Sequence, residues 1–339
     1  MADKAIFDKK NILIIGGAGF VGSHLCDELV KEGKVICLDN FLTGDEDNIS
    51  HLYQDPNFEF VNHDIIIPIE LEKSPELKNF KVEFQGVQEI YFLATPASPR
   101  AYNQHPIETM MINSSGLNNA LEMAVKYKAK FIYVSSPAVY GETEEGEAVS
   151  EDYIGKLDQL GPRAVYAEAN RFGETMVNNY KLKFDIDAKI IRAFNCYGPR
   201  MKLDDGRMIP ELIRSSLFNK DLVVFGKEGD LGSYLYISDL IQALVKVMDS
   251  GESGPLNVAS DAKHKFSELA EKIVELSQSR SAITYHERKS LMAPQTLANI
   301  SKIKESLGWF PITLLDQGLQ MTIEYLSAQK GVIEPEDIK

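Results

Sequence analysis

Residues Asn11 to Leu25 read NILIIGGAGFVGSHL, and the rest of the chain is legible from them. The apolar run Ile12 to Ile15 has the length of a buried strand, and Val21, Leu25 and Leu29 then recur at helical spacing. Between the two, Gly16, Gly19 and Gly22 form GxxGxxG, a close relative of the dinucleotide fingerprint. The first glycine permits a tight turn, the second lets backbone N–H groups approach a pyrophosphate, and the third lets the helix pack closely on the strand. Phosphates then sit at the positive end of the helix dipole. A second strand, Lys34 to Asp39, ends in an acid about 20 residues beyond the first glycine, where a carboxylate holds the adenosine ribose hydroxyls. The expected cofactor is therefore NAD, with Asp39 disfavouring the extra phosphate of NADP.

The chain has 339 residues, 44% hydrophobic and 25% charged, which is ordinary for a globular protein with a large core. A net charge of −14 argues against nucleic acid or an anionic membrane as partner, while leaving room for a local basic pocket. Cys26, Cys37 and Cys196 are widely spaced and form neither a disulfide framework nor a zinc motif, so the expected compartment is the reducing cytoplasm. His63, His105 and His286 are scattered without metal-ligand spacing, and no metal is expected. The opening MADKAIFDKK lacks the apolar core of a signal peptide, and no apolar run reaches the roughly 18 residues of a membrane span.

Further strands are expected at Phe58 to Asp64, Glu89 to Ala94, Lys130 to Ser135 and Ala188 to Arg192. A short helix is expected around Asn48 to Tyr53, and a loop and helix over Ile65 to Phe84. Long helices are expected at Thr109 to Lys126 and at Tyr166 to Phe184. Such alternation predicts an α/β fold, a Rossmann-type doubly wound parallel sheet with right-handed crossovers. Residues 1–195 are read as the NAD-binding domain. Residues 196–330 are read mainly as a smaller C-terminal α/β lobe for substrate, with some segments returning to the first domain. It has helices at Ile209 to Phe218, Ile237 to Met248, Phe266 to Ser277 and Ser301 to Leu307, and a strand at Leu222 to Phe225. Residues 331–339 are read as a frayed tail.

Two hydroxyl-bearing stretches carry chemistry. VSSPAVYG (134–141) places Ser136 at the end of a strand, and GPRAVYAEANR (161–171) places Tyr166 at the start of the next long helix. Both point into the cleft where a nicotinamide must lie. With GGAGFVGSHL, DNFLTG, NHDI, FLATPASP, SEDY, NCYGPRM, DDGR, YISDL and LGWFP in order along nearly the whole chain, the sequence resembles the extended short-chain dehydrogenase/reductases. It is most similar to their nucleotide-sugar epimerase, dehydratase and decarboxylase branch, and within it to the UDP-glucuronate decarboxylases (UDP-xylose synthases).

The resemblance implies an enzyme that oxidises a nucleotide sugar, UDP-linked by the same likeness, to a transient 4-keto sugar with NAD as hydride acceptor. It implies that Gly16, Gly19, Phe20 and Val21 cradle the pyrophosphate and that Asp39 and Asn40 hold the ribose. Asp64 and Ile65 would flank the adenine, and Leu93, Ala94 and Thr95 would line the nicotinamide side. Tyr166 would take the C4 hydroxyl proton, with Ser136 polarising the oxygen, and Asn195 and Arg207 would meet the nucleotide. A homodimer paired through the helices of 109–126 and 166–184 is also implied.

The sequence departs from that pattern at positions that matter. Asn170 stands one helical turn after Tyr166, where the family carries a lysine that binds the nicotinamide ribose and lowers the tyrosine pKa. Asn keeps hydrogen-bonding capacity for the ribose but no charge. Ala138 replaces a glutamate before Val139-Tyr140-Gly141, Gly232 replaces an arginine, and Gln295 to Ala298 lacks an expected base. Two readings stay open: a decarboxylase-like or epimerase-like enzyme working with a Tyr–Asn pair, and a weakened protein that binds NAD and a nucleotide sugar.

Overall fold

Alternate residues of the first strand, β1 (Asn11–Ile15), enter two different cores. Ile12 and Ile14 join one core, Leu13 and Ile15 the other, and all four are fully buried. A strand buried on both faces needs helices on both, and that requirement makes the sheet doubly wound. The computed structural model describes residues 9–328 except 145, 205, 253 and 289–294, so the expected frayed tail at 331–339 lies outside the described residues.

Six further strands complete a parallel sheet: β2 (Lys34–Asp39), β3 (Phe58–Asn62), β4 (Glu89–Phe92), β5 (Lys130–Ser135), β6 (Ala188–Ala193) and β7 (Pro255–Val258). Their order is β7-β6-β5-β4-β1-β2-β3, a Rossmann-like sheet whose strand order reverses between β1 and β4. The sequence reading contains no β7. Pro255-Leu-Asn-Val258 is four residues long and opens on proline, too short and mixed for alternation to register; at a sheet edge the missing N–H is tolerated.

Helix α1 (Phe20–Leu29) connects β1 to β2. Helices α2 (Pro99–Gln104), α3 (Pro106–Met111) and α4 (Leu117–Tyr127) lie between β4 and β5, and α5 (Ala164–Phe184) lies between β5 and β6. Beyond β6 come α6 (Met208–Leu217) and α7 (Ile237–Met248), and α7 packs against α1, β5 and β6. Leu117, Ala120 and Leu121 of α4 and Val177 of α5 share the core of Leu13. The expected single helix over Thr109 to Lys126 is interrupted: Ile112–Gly116 winds as a wider π turn between α3 and α4. That turn buries Asn113, whose amide groups all find partners there. The expected helix near Asn48 is two 3₁₀ turns, Glu46–Asn48 and Ser50–Leu52.

The C-terminal part contains α6, a parallel strand pair of Leu222–Phe225 with Ile283–His286, and the helices α8 (Phe266–Leu276), α9 (Ser301–Leu307) and α10 (Leu315–Ala328). Sequence reading did not include α10. Leu212, Leu222, Leu269 and Leu319 from these elements share one core with Ile12 and Ile14, so the lobe is packed onto one face of the sheet as a continuous apolar mass. No helix among the described residues is long and apolar enough to cross a membrane.

Candidate active site

The glycine turn after β1 is as tight as its spacing requires. Gly16 has φ +85°, and a Cβ on it would lie 2.7 Å from the Ala94 backbone. A Cβ on Gly22 would collide with the Gly16 carbonyl oxygen, so the first turn of α1 rests directly on the loop. Gly19 precedes α1 in extended conformation; no side chain caps the helix, and its first turn carries no acid. The N–H groups of Phe20 and Val21 therefore lack intrahelical acceptors and stand at the positive helix end. That is the donor set a pyrophosphate needs, and the residues fit NAD.

Asp39, at the end of β2, has both oxygens anchored: Ala18 N donates to Oδ2 at 2.9 Å and Phe41 N to Oδ1 at 2.8 Å. Burial pushes its carboxyl pKa up, while these backbone donors, Asn40 and the charge of Lys202 pull it back. The anchored carboxylate keeps lone pairs for ribose hydroxyls. Asn40 is exposed and its Oδ1 accepts from Leu42 N at 3.0 Å. Asp64 accepts from Ile66 N at 3.0 Å, and Ile65 is buried in the core beside Gly116.

At the other end of the same cavity β5 delivers Ser136 and α5 delivers Tyr166. Ser136 starts a 3₁₀ turn, Pro137–Tyr140, and accepts from Ala138 N at 3.2 Å. Tyr166 stands in the first turn of α5, stacked on Tyr102 of α2 with ring centroids 4.8 Å apart and planes 12° off parallel. Burial raises the Tyr166 pKa; the Ser136 hydroxyl and the charges of Arg207 and Arg163 lower it. Two arginines thus supply positive potential at the phenol, where the family resemblance led one to look for a lysine.

Asn170 is 1% exposed and sits beneath the cavity wall. Its Nδ2 donates to the Tyr166 carbonyl at 2.8 Å, the backbonding typical of a polar side chain inside a helix. Below Ser136, the Ser135 hydroxyl donates to Glu174 at 2.6 Å, and Glu174 forms a two-pronged pair with Arg192 at 2.9 and 2.7 Å. Arg192 also donates to Tyr140 Oη at 2.8 Å, and Tyr140 to Asn257 at 2.6 Å. This chain of charge-assisted bonds fixes β5, β6, β7 and α5 to one another behind Ser136 and Tyr166.

Asn195 Nδ2 donates to the Ser233 carbonyl and to Gln295 Oε1, both at 3.2 Å. Gly232 lies beside this pair: a Cβ there would lie 2.5 Å from Gln295 Oε1 and collide with Tyr234 Oη. Tyr234 and Gln295 therefore fill the space that a side chain at 232 would enter. Arg288 pairs with Asp230 at the same end.

Gly16, Gly19, Phe20, Val21, Leu93, Thr95, Ser136, Tyr166, Asn195 and Arg207 all line one cavity of about 1300 Å³, ample for a dinucleotide with a second ligand. Ala94 turns its backbone against Gly16, while Asp39, Asn40, Asp64, Ile65 and Asn170 stand outside the lining. Among the described residues, seven Lys and Arg against five Asp and Glu line the cavity, an excess of cationic side chains in a chain of net charge −14. Sequence reasoning missed Tyr102, Arg163, Asn113 and Tyr133. Arg163 had a usable signal, its place one turn ahead of Tyr166; the other three meet the site only through tertiary packing.

Residues 12–259 match the NAD dependent epimerase/dehydratase family. The chain is similar to UDP-glucuronic acid decarboxylase 1 of Danio rerio, 38% identical over 323 residues that cover 95% of this chain and 74% of the relative. It is similar also to UDP-glucuronic acid decarboxylase 6 of Arabidopsis thaliana, 35% identical over 95% of this chain and 90% of the relative. UDP-glucuronic acid 4-epimerase from Bacillus cereus, solved with UDP-glucuronic acid and NAD, superposes with a TM-score of 0.81 at 27% identity, over 95% of this chain and 100% of that one. UDP-glucose 4-epimerase from Thermotoga maritima shares the fold, with a TM-score of 0.83 at 24% identity over 95% and 100% of the two chains.

Proposed function

The chain belongs to the NAD dependent epimerase/dehydratase family, and on that premise we propose that it oxidises a UDP-linked sugar at C4 to a transient ketone. The observation that carries this reading is the meeting of Tyr166 and Ser136 at one end of a cavity whose other end is the glycine cradle. NAD, when bound, supplies the hydride acceptor. Tyr166, ionised, takes the C4 hydroxyl proton; Ser136 donates a hydrogen bond to the oxygen as charge develops on it. Arg207 and Arg163 favour the ionised phenol. Asn195 and Arg207 are the groups we assign to the nucleotide. The ketone has two fates, loss of a carboxyl group before the hydride returns or return of the hydride to the opposite face; UDP-glucuronate can undergo either, so its product tells them apart.

The assay is chromatography with NMR on UDP-glucuronate, UDP-glucose and UDP-N-acetylglucosamine, each incubated with protein and NAD. A pentose product or an epimer establishes the reaction. A second reading, a binding protein of the same family, has its own support in the uncharged Asn170 and in the burial that raises the Tyr166 pKa. It predicts NAD and UDP-sugar binding by calorimetry with no product from any of the three sugars.

We also propose a homodimer built on α3, α4 and α5. Support comes from Ile107, Met110, Phe172 and Leu182, apolar side chains on α3 and α5 that are half exposed or more. Three free thiols fit a cytoplasmic location.

A further inference from the structure

A polar cluster lies beneath the cavity wall, and the chemistry proposed above makes no use of it. Tyr133 Oη donates to Asn113 Oδ1 at 2.6 Å and lies 3.4 Å from Asn170 Oδ1. Thr95 Oγ1, at the cavity wall, donates to the same Asn113 oxygen at 3.0 Å. Asn113 Nδ2 donates to the Thr109 carbonyl at 2.9 Å, and Asn170 Nδ2 to the Tyr166 carbonyl at 2.8 Å. Tyr133 and Asn113 are fully buried. A phenol in this position needs a gap in the facing helix, and Gly173 provides it. A Cβ on Gly173 would collide with Tyr133 Oη and lie 2.6 Å from its Cζ. Glycine in the middle of a 21-residue helix is otherwise a poor choice.

We infer that Tyr133, Asn170 and Gly173 are one matched set, in which the buried phenol occupies the space beside α5 that a longer, charged side chain at position 170 would need. Asn170 is short enough to lie against the phenol and neutral enough to be buried there without a counter-ion. The carboxylate one turn further along α5, Glu174, is committed to Arg192. A lysine at 170 would therefore bury an ammonium with no free anion beside it. Tyr133 and Asn170 act as positioning residues: they fix the Tyr166 carbonyl and the first turns of α5, while positive potential reaches the phenol from Arg163 and Arg207. The inference rests on the reading above only for the role of Tyr166; the packing is testable without any ligand.

The test is a set of melting temperatures for the ligand-free protein. Gly173→Ala is expected to lower the melting temperature of the parent and to raise that of Tyr133→Leu, because alanine is the better helix former once the phenol is gone. Asn170→Lys and the uncharged Asn170→Met are each expected to lower it by roughly 5 °C in the parent and by clearly less in Tyr133→Leu. Gly173→Ala stabilising both backgrounds, or position-170 shifts equal in both, would overturn the matched set. If Asn170→Lys yields no folded protein, Asn170→Met and Gly173→Ala decide. A functional arm follows kcat against pH on any sugar that turns over. Asn170→Lys with Tyr133→Leu should move the acid limb to lower pH, and Asn170→Lys alone should leave it in place. Absence of turnover from every sugar defeats the proposed reaction and leaves the melting cycle to judge the packing.

Discussion

The proposed reaction places two conflicting demands on Tyr166. It must be sheltered enough to face a dry reacting centre, and burial against Tyr102 keeps its phenol protonated; it must also ionise. Tyr166→Phe is therefore expected to lower turnover by roughly 10²–10⁴-fold while leaving NAD binding by calorimetry in place. The charges of Arg207 and Arg163 lower the phenol's pKa, so removing one raises it. A base is active above its pKa, and Arg207→Gln should accordingly shift the acid limb of kcat to higher pH and slow the reaction at neutrality. Recovery of kcat at alkaline pH marks a through-space role; a rise in KM at every pH would assign Arg207 to substrate binding instead.

The element that sets the cofactor end is α1 with the loop before it. Its cradle depends on two glycines for different reasons: Gly16 adopts a left-handed conformation against Ala94, and Gly22 has no room for a methyl group against the Gly16 carbonyl. Gly22→Ala should push α1 off the loop. A loss of NAD affinity of at least tenfold by calorimetry, with a lowered melting temperature, is the expected result; unchanged affinity would show that the loop yields. The helix between β4 and β5 shows a different lesson. Its periodicity reads as unbroken, yet Ile112–Gly116 opens into a π turn where Asn113 is held from outside the helix by Thr95 and Tyr133. Hydrogen bonding from outside the helix, invisible to local pattern, sets the winding.

At the scale of the molecule, the described lining of the cavity carries more cations than anions in an acidic protein, a field that would draw the proposed diphosphate substrate to one place. Raising salt should weaken UDP-sugar affinity accordingly. Helix α5, which carries Tyr166, also carries the exposed Phe172 and Leu182. Phe172→Glu with Leu182→Glu should convert a dimer to a monomer by light scattering at micromolar concentration. A parent protein that is already monomeric would remove the proposed interface.

Local pattern in the sequence located the sheet's first six strands and the glycine turn, because each is encoded over a few neighbouring residues, whereas Asp39 was picked out by its distance from that turn and Ser136 with Tyr166 by the family resemblance. The same resemblance exposed the oddity at Asn170. What surrounds that oddity depended on the tertiary structure. Tyr102, Tyr133 and Asn113 reach Tyr166 and Asn170 from elements far apart in the chain, and their contacts arise only when the sheet has stacked those elements. β7 likewise became a strand through its pairing with β6, since four residues opening on proline carry too little local preference to form one unaided.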